Sequence, residues 1–88
     1  MGYIQVFNAF LIKHAKLNRT SKIIDIGCGR GKILGYLLKK LKLKTKPLGI
    51  DIENHKDKDK TINFKEINLL NFLKQNKKTF DLILIKQT

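Results

Sequence analysis

Ile23-Ile24-Asp25-Ile26-Gly27-Cys28-Gly29-Arg30-Gly31-Lys32 decides how this chain folds. An apolar run broken by one acid reads as a buried strand, and three glycines at alternate positions follow it at once. Gly27, Gly29 and Gly31 take the β-carbons from one edge of the turn, so the backbone can adopt positive φ and come close to a ligand. From Lys32 to Leu43, Ile33, Leu34, Leu37, Leu38 and Leu41 recur at helical spacing, so the turn feeds a helix N-terminus. The unpaired N–H groups of such a terminus suit an anion. A strand, a glycine turn and a helix in this order hold a nucleotide-like ligand at the top of a strand.

Three ligand classes use such loops, and spacing separates them. A nucleoside triphosphate loop needs glycine, four residues, then Gly-Lys-Ser/Thr. Ile26 stands five positions before Gly31-Lys32, and Ile33 stands where a hydroxyl would meet Mg²⁺. The dinucleotide fingerprint places its third glycine five residues after the first. Position 32 is Lys, and Gly31 comes one residue early. What remains is Asp-x-Gly-x-Gly-x-Gly, with the acid two residues before the first glycine.

Asp25-Ile26-Gly27-Cys28-Gly29-Arg30-Gly31 resembles the first motif of the class I S-adenosylmethionine-dependent methyltransferases, position for position. The resemblance implies that the loop of Gly27, Cys28, Gly29 and Gly31 lies along the methionine part of the cofactor. It also implies that Asp25 faces the cofactor's amino group, often through water. The charges agree with this: sulfonium and ammonium favour a carboxylate, and a ligand carboxylate favours helix N–H groups.

Pro47-Leu48-Gly49-Ile50-Asp51-Ile52-Glu53 reads as a second short strand ending in acids. Asp51 can accept both hydroxyls of a ribose, as the resembled family does at this position, with Ile52 beside it. A nicotinamide cofactor would be met the same way, so reduction with that cofactor stays open. Glu53 reads as solvated. Thr61 to Ile67 is strand-like though irregular, and Asn68-Leu69 follows. Most relatives in the resembled family carry Asp where this chain has Asn68, for the adenine amino group; the amide oxygen of Asn68 could accept the same bond. Leu69 packs either on the adenine face or on the core. Thr79-Phe80-Asp81-Leu82-Ile83-Leu84-Ile85 reads as a fourth strand buried on both faces, and its Phe-Asp-Leu opening also resembles the family.

Acceptor chemistry usually follows strand four, where this sequence has Lys86-Gln87-Thr88. The Asn/Asp-Pro-Pro-Tyr/Phe motif of amino-directed methyltransferases is absent there. Ribose-methylating RNA enzymes of the heat-shock type are similar in the short link after strand two, but their catalytic Asp after strand four is not supplied. The polar pair looks more like small-molecule methyltransferases, so the expected acceptor is a small molecule. No catalytic residue is assigned.

Eighty-eight residues suit one small domain, which buries about 60–65 % of its unfolded surface. No apolar run approaches the roughly eighteen residues of a membrane helix, and Met1-Gly2-Tyr3 lacks the basic start of a signal peptide. Gly2 is not followed by the Ser/Thr of a myristoylation motif. The single cysteine, Cys28, cannot form an internal disulfide, and no motif places a histidine beside it as a nucleophile would need. A cytoplasmic setting is expected. No metal-ligand spacing involves His14, and His55 is assigned no role.

The formal charge of +12 admits a nucleic-acid partner by counterion release. Lys outnumbers Arg by 17 to 2, however, and specific recognition leans on Arg forks and stacking aromatics. The runs Lys39 to Lys46 and Lys56 to Lys60 read as solvated faces. A basic RNA-binding or subunit-interaction piece with an incomplete cofactor pocket is the alternative to a methyltransferase.

Residues 1–18 form an amphipathic helix with Ile4, Phe7, Leu11 and Ala15 on its apolar face. Tyr3, Phe7 and Phe10 are expected in the core; the resembled family sometimes lends an aromatic from here to the cofactor. Residues 22–88 form the α/β cofactor-binding core. Glu53 to Lys60 has room for at most one helical turn, and Leu69 to Lys78 reads as a short helix. The resemblance implies a Rossmann-like parallel sheet of about four strands in the order 3-2-1-4, about half of the family's seven-stranded sheet. A partial methyltransferase domain is therefore expected, with an exposed strand-four edge open to association.

Overall fold

A computed structural model describes the backbone of residues 3–85 and the side chains of residues 7–85. Among these residues the order is α1 (Tyr3–His14), β1 (Ile23–Ile26), α2 (Lys32–Leu41), β2 (Leu48–Asp51), β3 (Asn63–Glu66), α3 (Leu69–Gln75) and β4 (Leu82–Ile85). The fold is α/β: a four-stranded, all-parallel sheet in the order β3-β2-β1-β4. Ile24 pairs with Leu48 on one side and Ile83 on the other, and Leu48 pairs in turn with Asn63.

Strand β1 is central because its residues satisfy both faces. Successive side chains point to opposite faces, so Ile23 enters a cluster with Ile33, Leu34 and Leu37 of α2, while Ile24 packs with Ile50 and Phe72 of α3. Leu17, Leu43 and Ile62 complete the first cluster. Leu17 and Leu43 reach it by the same device. Each follows a lysine in the left-handed region, Lys16 at φ 53° and Lys42 at φ 51°, and each N–H donates back to its helix, at Ile12 and Leu38 respectively. The reversal turns an apolar side chain inward at the moment the helix stops.

The link from β2 to β3 contains turns and no helix, in agreement with its length. Two expectations need correction. Strand β4 is not buried on both faces: Leu82 and Leu84 pack on the α1–α2 cluster, but Ile83 and Ile85 are 55 % and 68 % exposed. Phe10 is not in the core; it is exposed, with its ring centroid 4.3 Å from that of His14, while Phe7 packs on the core. Leu70 and Leu73 of α3 are exposed, because α3 inserts Phe72 and turns its other apolar residues outward. The side chains of Tyr3, Ile4 and Val6 lie outside the described residues.

Candidate functional site

The carboxyl ends of β1, β2 and β3 meet the glycine turn and the start of α3 around a cavity of about 330 Å³. Parallel α/β sheets bind ligands at this end. Gly27, Asp51, Ile52, Asn68 and Leu69 line it, five of the residues picked from the sequence, together with Ile26, Ile50, Glu53 and Ile67. Its walls are mostly branched aliphatic side chains, with polar groups gathered at the β2 end.

The glycine turn is tied to β2 rather than to its own strand. The N–H groups of Gly27 and Cys28 both donate to the Ile50 carbonyl, at 2.8 and 3.1 Å. The Gly29 N–H donates to Asp51 Oδ2 at 2.8 Å, and the Glu53 N–H donates to Asp51 Oδ1 at 3.1 Å. Burial pushes the Asp51 carboxyl up; bonds from the Glu53, Gly29 and Ile52 amides and the nearby His55 outweigh this and hold it below the ordinary carboxylate value. Each carboxylate oxygen keeps a second lone pair for a ligand hydroxyl.

All three loop glycines have positive φ. Two of them serve different ends. A β-carbon on Gly29 would meet nothing within 4 Å, so this backbone is open to close approach. A β-carbon on Gly31 would strike Ile62 Cδ1 at 2.5 Å, so Gly31 seats a core side chain. Gly31 also begins α2, which has no side-chain cap, leaving its first-turn amides to solvent or a ligand.

Asp25 and Cys28 sit away from this cavity. Asp25 is wholly buried on the α1–α2 side of β1 and does not line the cavity. Among the described residues, Asp25 therefore does not share this cavity with Asp51. Cys28 is buried with its Sγ against Gly49, where a β-carbon would approach to 2.6 Å. Asn68 Oδ1 accepts the Asn71 N–H at 2.8 Å and caps α3, which leaves its second lone pair and its amide NH₂ for a ligand. Glu53, read as solvated, is exposed but lines the cavity, 3.5 Å from His55 Nε2. Lys86-Gln87-Thr88 lies outside the described residues.

The β2–β3 link closes over the outer side of the turn. Asp57 Oδ2 accepts from Arg30 Nε at 2.8 Å, and the Asp59 N–H donates to the Arg30 carbonyl at 2.8 Å. Neither the aliphatic wall nor this link follows from the glycine motif. Only the alternation of Ile50 and Ile52 around Asp51 hinted at the wall.

Among the described residues, no group of three or more His, Cys, Asp or Glu could hold a metal ion, and no helix is long and apolar enough to cross a membrane. Compared with models of known protein families and with curated proteins, the chain matches none at a significant level.

Proposed function

We propose that the chain is the cofactor-binding portion of an S-adenosylmethionine-dependent methyltransferase whose acceptor is a small molecule. The observation that carries this reading is Asp51: an ionised carboxylate at the end of β2, fixed by two backbone amides and lining an aliphatic cavity beside the glycine turn. A ribose diol suits that carboxylate, each hydroxyl donating to one oxygen.

The rest of the cavity suits an adenosyl group. Ile52 is 70 % exposed and Leu69 stands partly exposed across from the β2 end, so a purine ring between them would cover apolar surface that water now wets. The Asn68 NH₂ can donate to a ring nitrogen. Its oxygen, which caps α3 with one lone pair, keeps the other for the adenine amino group. The amino-acid end would run along Gly29, with its carboxylate toward the uncapped start of α2. Asp25 adds a carboxylate beneath this loop and makes no direct contact in this reading.

S-adenosylmethionine supplies, when bound, a methyl group on a cationic sulfur. This chain's own residues hold and orient that ligand, and rate then comes from proximity and alignment of an acceptor. A single buried cysteine suits a reducing compartment, and we place the activity in the cytoplasm.

Calorimetric titration with S-adenosylhomocysteine tests the reading. Binding that Asp51→Asn weakens supports it, and absence of binding by the intact chain refutes it. A melting temperature raised by NAD and not by S-adenosylmethionine would assign the same carboxylate to a nicotinamide cofactor.

A further inference from the structure

The opposite end of the sheet carries a second site. A cavity of about 450 Å³ lies at the amino ends of the strands, with the partly exposed Leu48 as its apolar floor and Lys22, Lys46, Lys77 and Lys78 around it. All four lysines are exposed, and the half-buried Phe80 forms part of the wall. A neighbouring cavity of about 440 Å³ shares Leu48, Asn63, Lys77 and Lys78 and continues past Phe64 and Lys65. The two make one groove across the sheet's amino end and along β3.

Charge is sorted along the molecule. Strands and helices run in opposite directions here, so the basic last turns of α1, α2 and α3 all fall at the amino end of the strands. Asp81 is the carboxylate at this end, and its Oδ2 is occupied by the Lys22 N–H at 2.7 Å. The other six belong to β1, to the carboxyl ends of β2 and β3, and to the link packed on the glycine turn.

We propose that this groove binds single-stranded nucleic acid, with phosphates on Lys22, Lys46, Lys77 and Lys78 and a base against Phe80. Lysines bordering a channel with an aromatic wall fit a phosphodiester chain, whose charge is periodic and whose bases offer flat faces. The floor is apolar, which a hydrated inorganic polyanion would not use. A strand held there lies at the far end of the sheet from the Asp51 cavity, so it is a partner and not a methyl acceptor. The inference stands apart from the cofactor reading.

Fluorescence anisotropy with a labelled oligouridylate, and with oligodeoxythymidylate of equal length, tests it on the intact chain. Four phosphate contacts predict a log–log salt slope of about −3, from about 0.7 per contact. The exposed pair Lys77→Glu/Lys78→Glu should weaken binding about tenfold and flatten the slope by about 1.4. Phe80→Leu, its fold checked by circular dichroism, should weaken binding about fivefold at every salt concentration and leave the slope unchanged. The pair Lys56→Glu/Lys60→Glu changes charge equally at the other end and should have the smaller effect; equal weakening by both pairs overturns the proposal. So does displacement of the oligonucleotide by inorganic polyphosphate at equal phosphate concentration, or capture by anionic vesicles with no oligonucleotide binding. Preference for one oligonucleotide tells RNA from DNA. S-adenosylhomocysteine titration of Lys77→Glu/Lys78→Glu should match the wild type, which separates this result from the other site.

Discussion

The Gly29 N–H donates to the Asp51 carboxylate at 2.8 Å across a sequence separation of 22 residues. This side chain thereby joins the Ile50 carbonyl in holding the glycine turn to β2. The same carboxylate is the polar anchor of the cavity, so loop geometry and ligand binding share a single group.

Asp51→Asn should lower affinity for S-adenosylhomocysteine about tenfold, since charge-assisted bonds to two hydroxyls become neutral ones. Asp51→Ala should lower it further and also free the Gly29 end of the turn, while Gly27 and Cys28 stay bonded to Ile50. Titration calorimetry reads both, and faster amide exchange at Gly29 in the alanine variant identifies the second effect.

Acid should destabilise the fold in a defined window. Asp51 is held low as described, Asp57 by the Arg30 guanidinium, and Asp59 by the Thr61 hydroxyl and amide. A carboxyl whose folded value lies below its unfolded one of about 3.9 contributes stability above that pH. The contribution disappears as pH falls through the folded value. Urea midpoints should be level from about pH 7 to about pH 5 and fall below about pH 4, with a shallower fall in Asp51→Asn.

Gly35 lies inside α2, where alanine normally gains about 1 kcal/mol. Here a β-carbon would collide with the Asp59 carboxylate, which Thr61 holds in place. Gly35→Ala should therefore destabilise the wild type by about 1 kcal/mol or more. In an Asp59→Ala background, where the nearest Asp59 atom is Cβ at 3.6 Å, the same change should stabilise by up to about 1 kcal/mol. The reversal of sign in urea denaturation is the check.

Ile83 and Ile85 leave an apolar stripe on one face of β4. Exposed apolar edge strands favour association. Ile83→Lys should lower the apparent mass at high concentration in sedimentation equilibrium; an unchanged mass would show that this stripe does not pair.

Element sequence and the place of Asp51 at a strand end were legible in the chain, because β1, the glycine turn and α2 carry strong local patterns; the sheet order was implied by the resemblance alone. Features set by packing partners were not. Leu82-Ile83-Leu84-Ile85 reads the same whether one face is covered or two, since an apolar run carries no record of its neighbours. Phe7 and Phe10 lie three apart on α1, and only the helix's rotation against the sheet decides that Phe7 is inside. Gly31 was expected to admit a ligand, yet Ile62 takes the space, a contact 31 residues away that spacing cannot reveal. Asp25 and Asp51 both lie in short apolar strands, but Asp51 ends β2 while Ile26 follows Asp25 within β1. The cavity takes one because β2 ends beside it, whereas Asp25 is buried on the α1–α2 face of the sheet.

The sheet order has a consequence for how the molecule breathes. Among the described residues, strands β1 and β2 have hydrogen-bonded neighbours on both sides, while β3 and β4 have one each. Deuterium should enter β4 early, as its Ile83 and Ile85 are already wet, and reach Ile24 and Ile50 only with global opening. Gly27 and Cys28, bonded to the Ile50 carbonyl, hang from the slowest part of the sheet. The bend that meets the ligand is thus rooted where the chain is last to loosen.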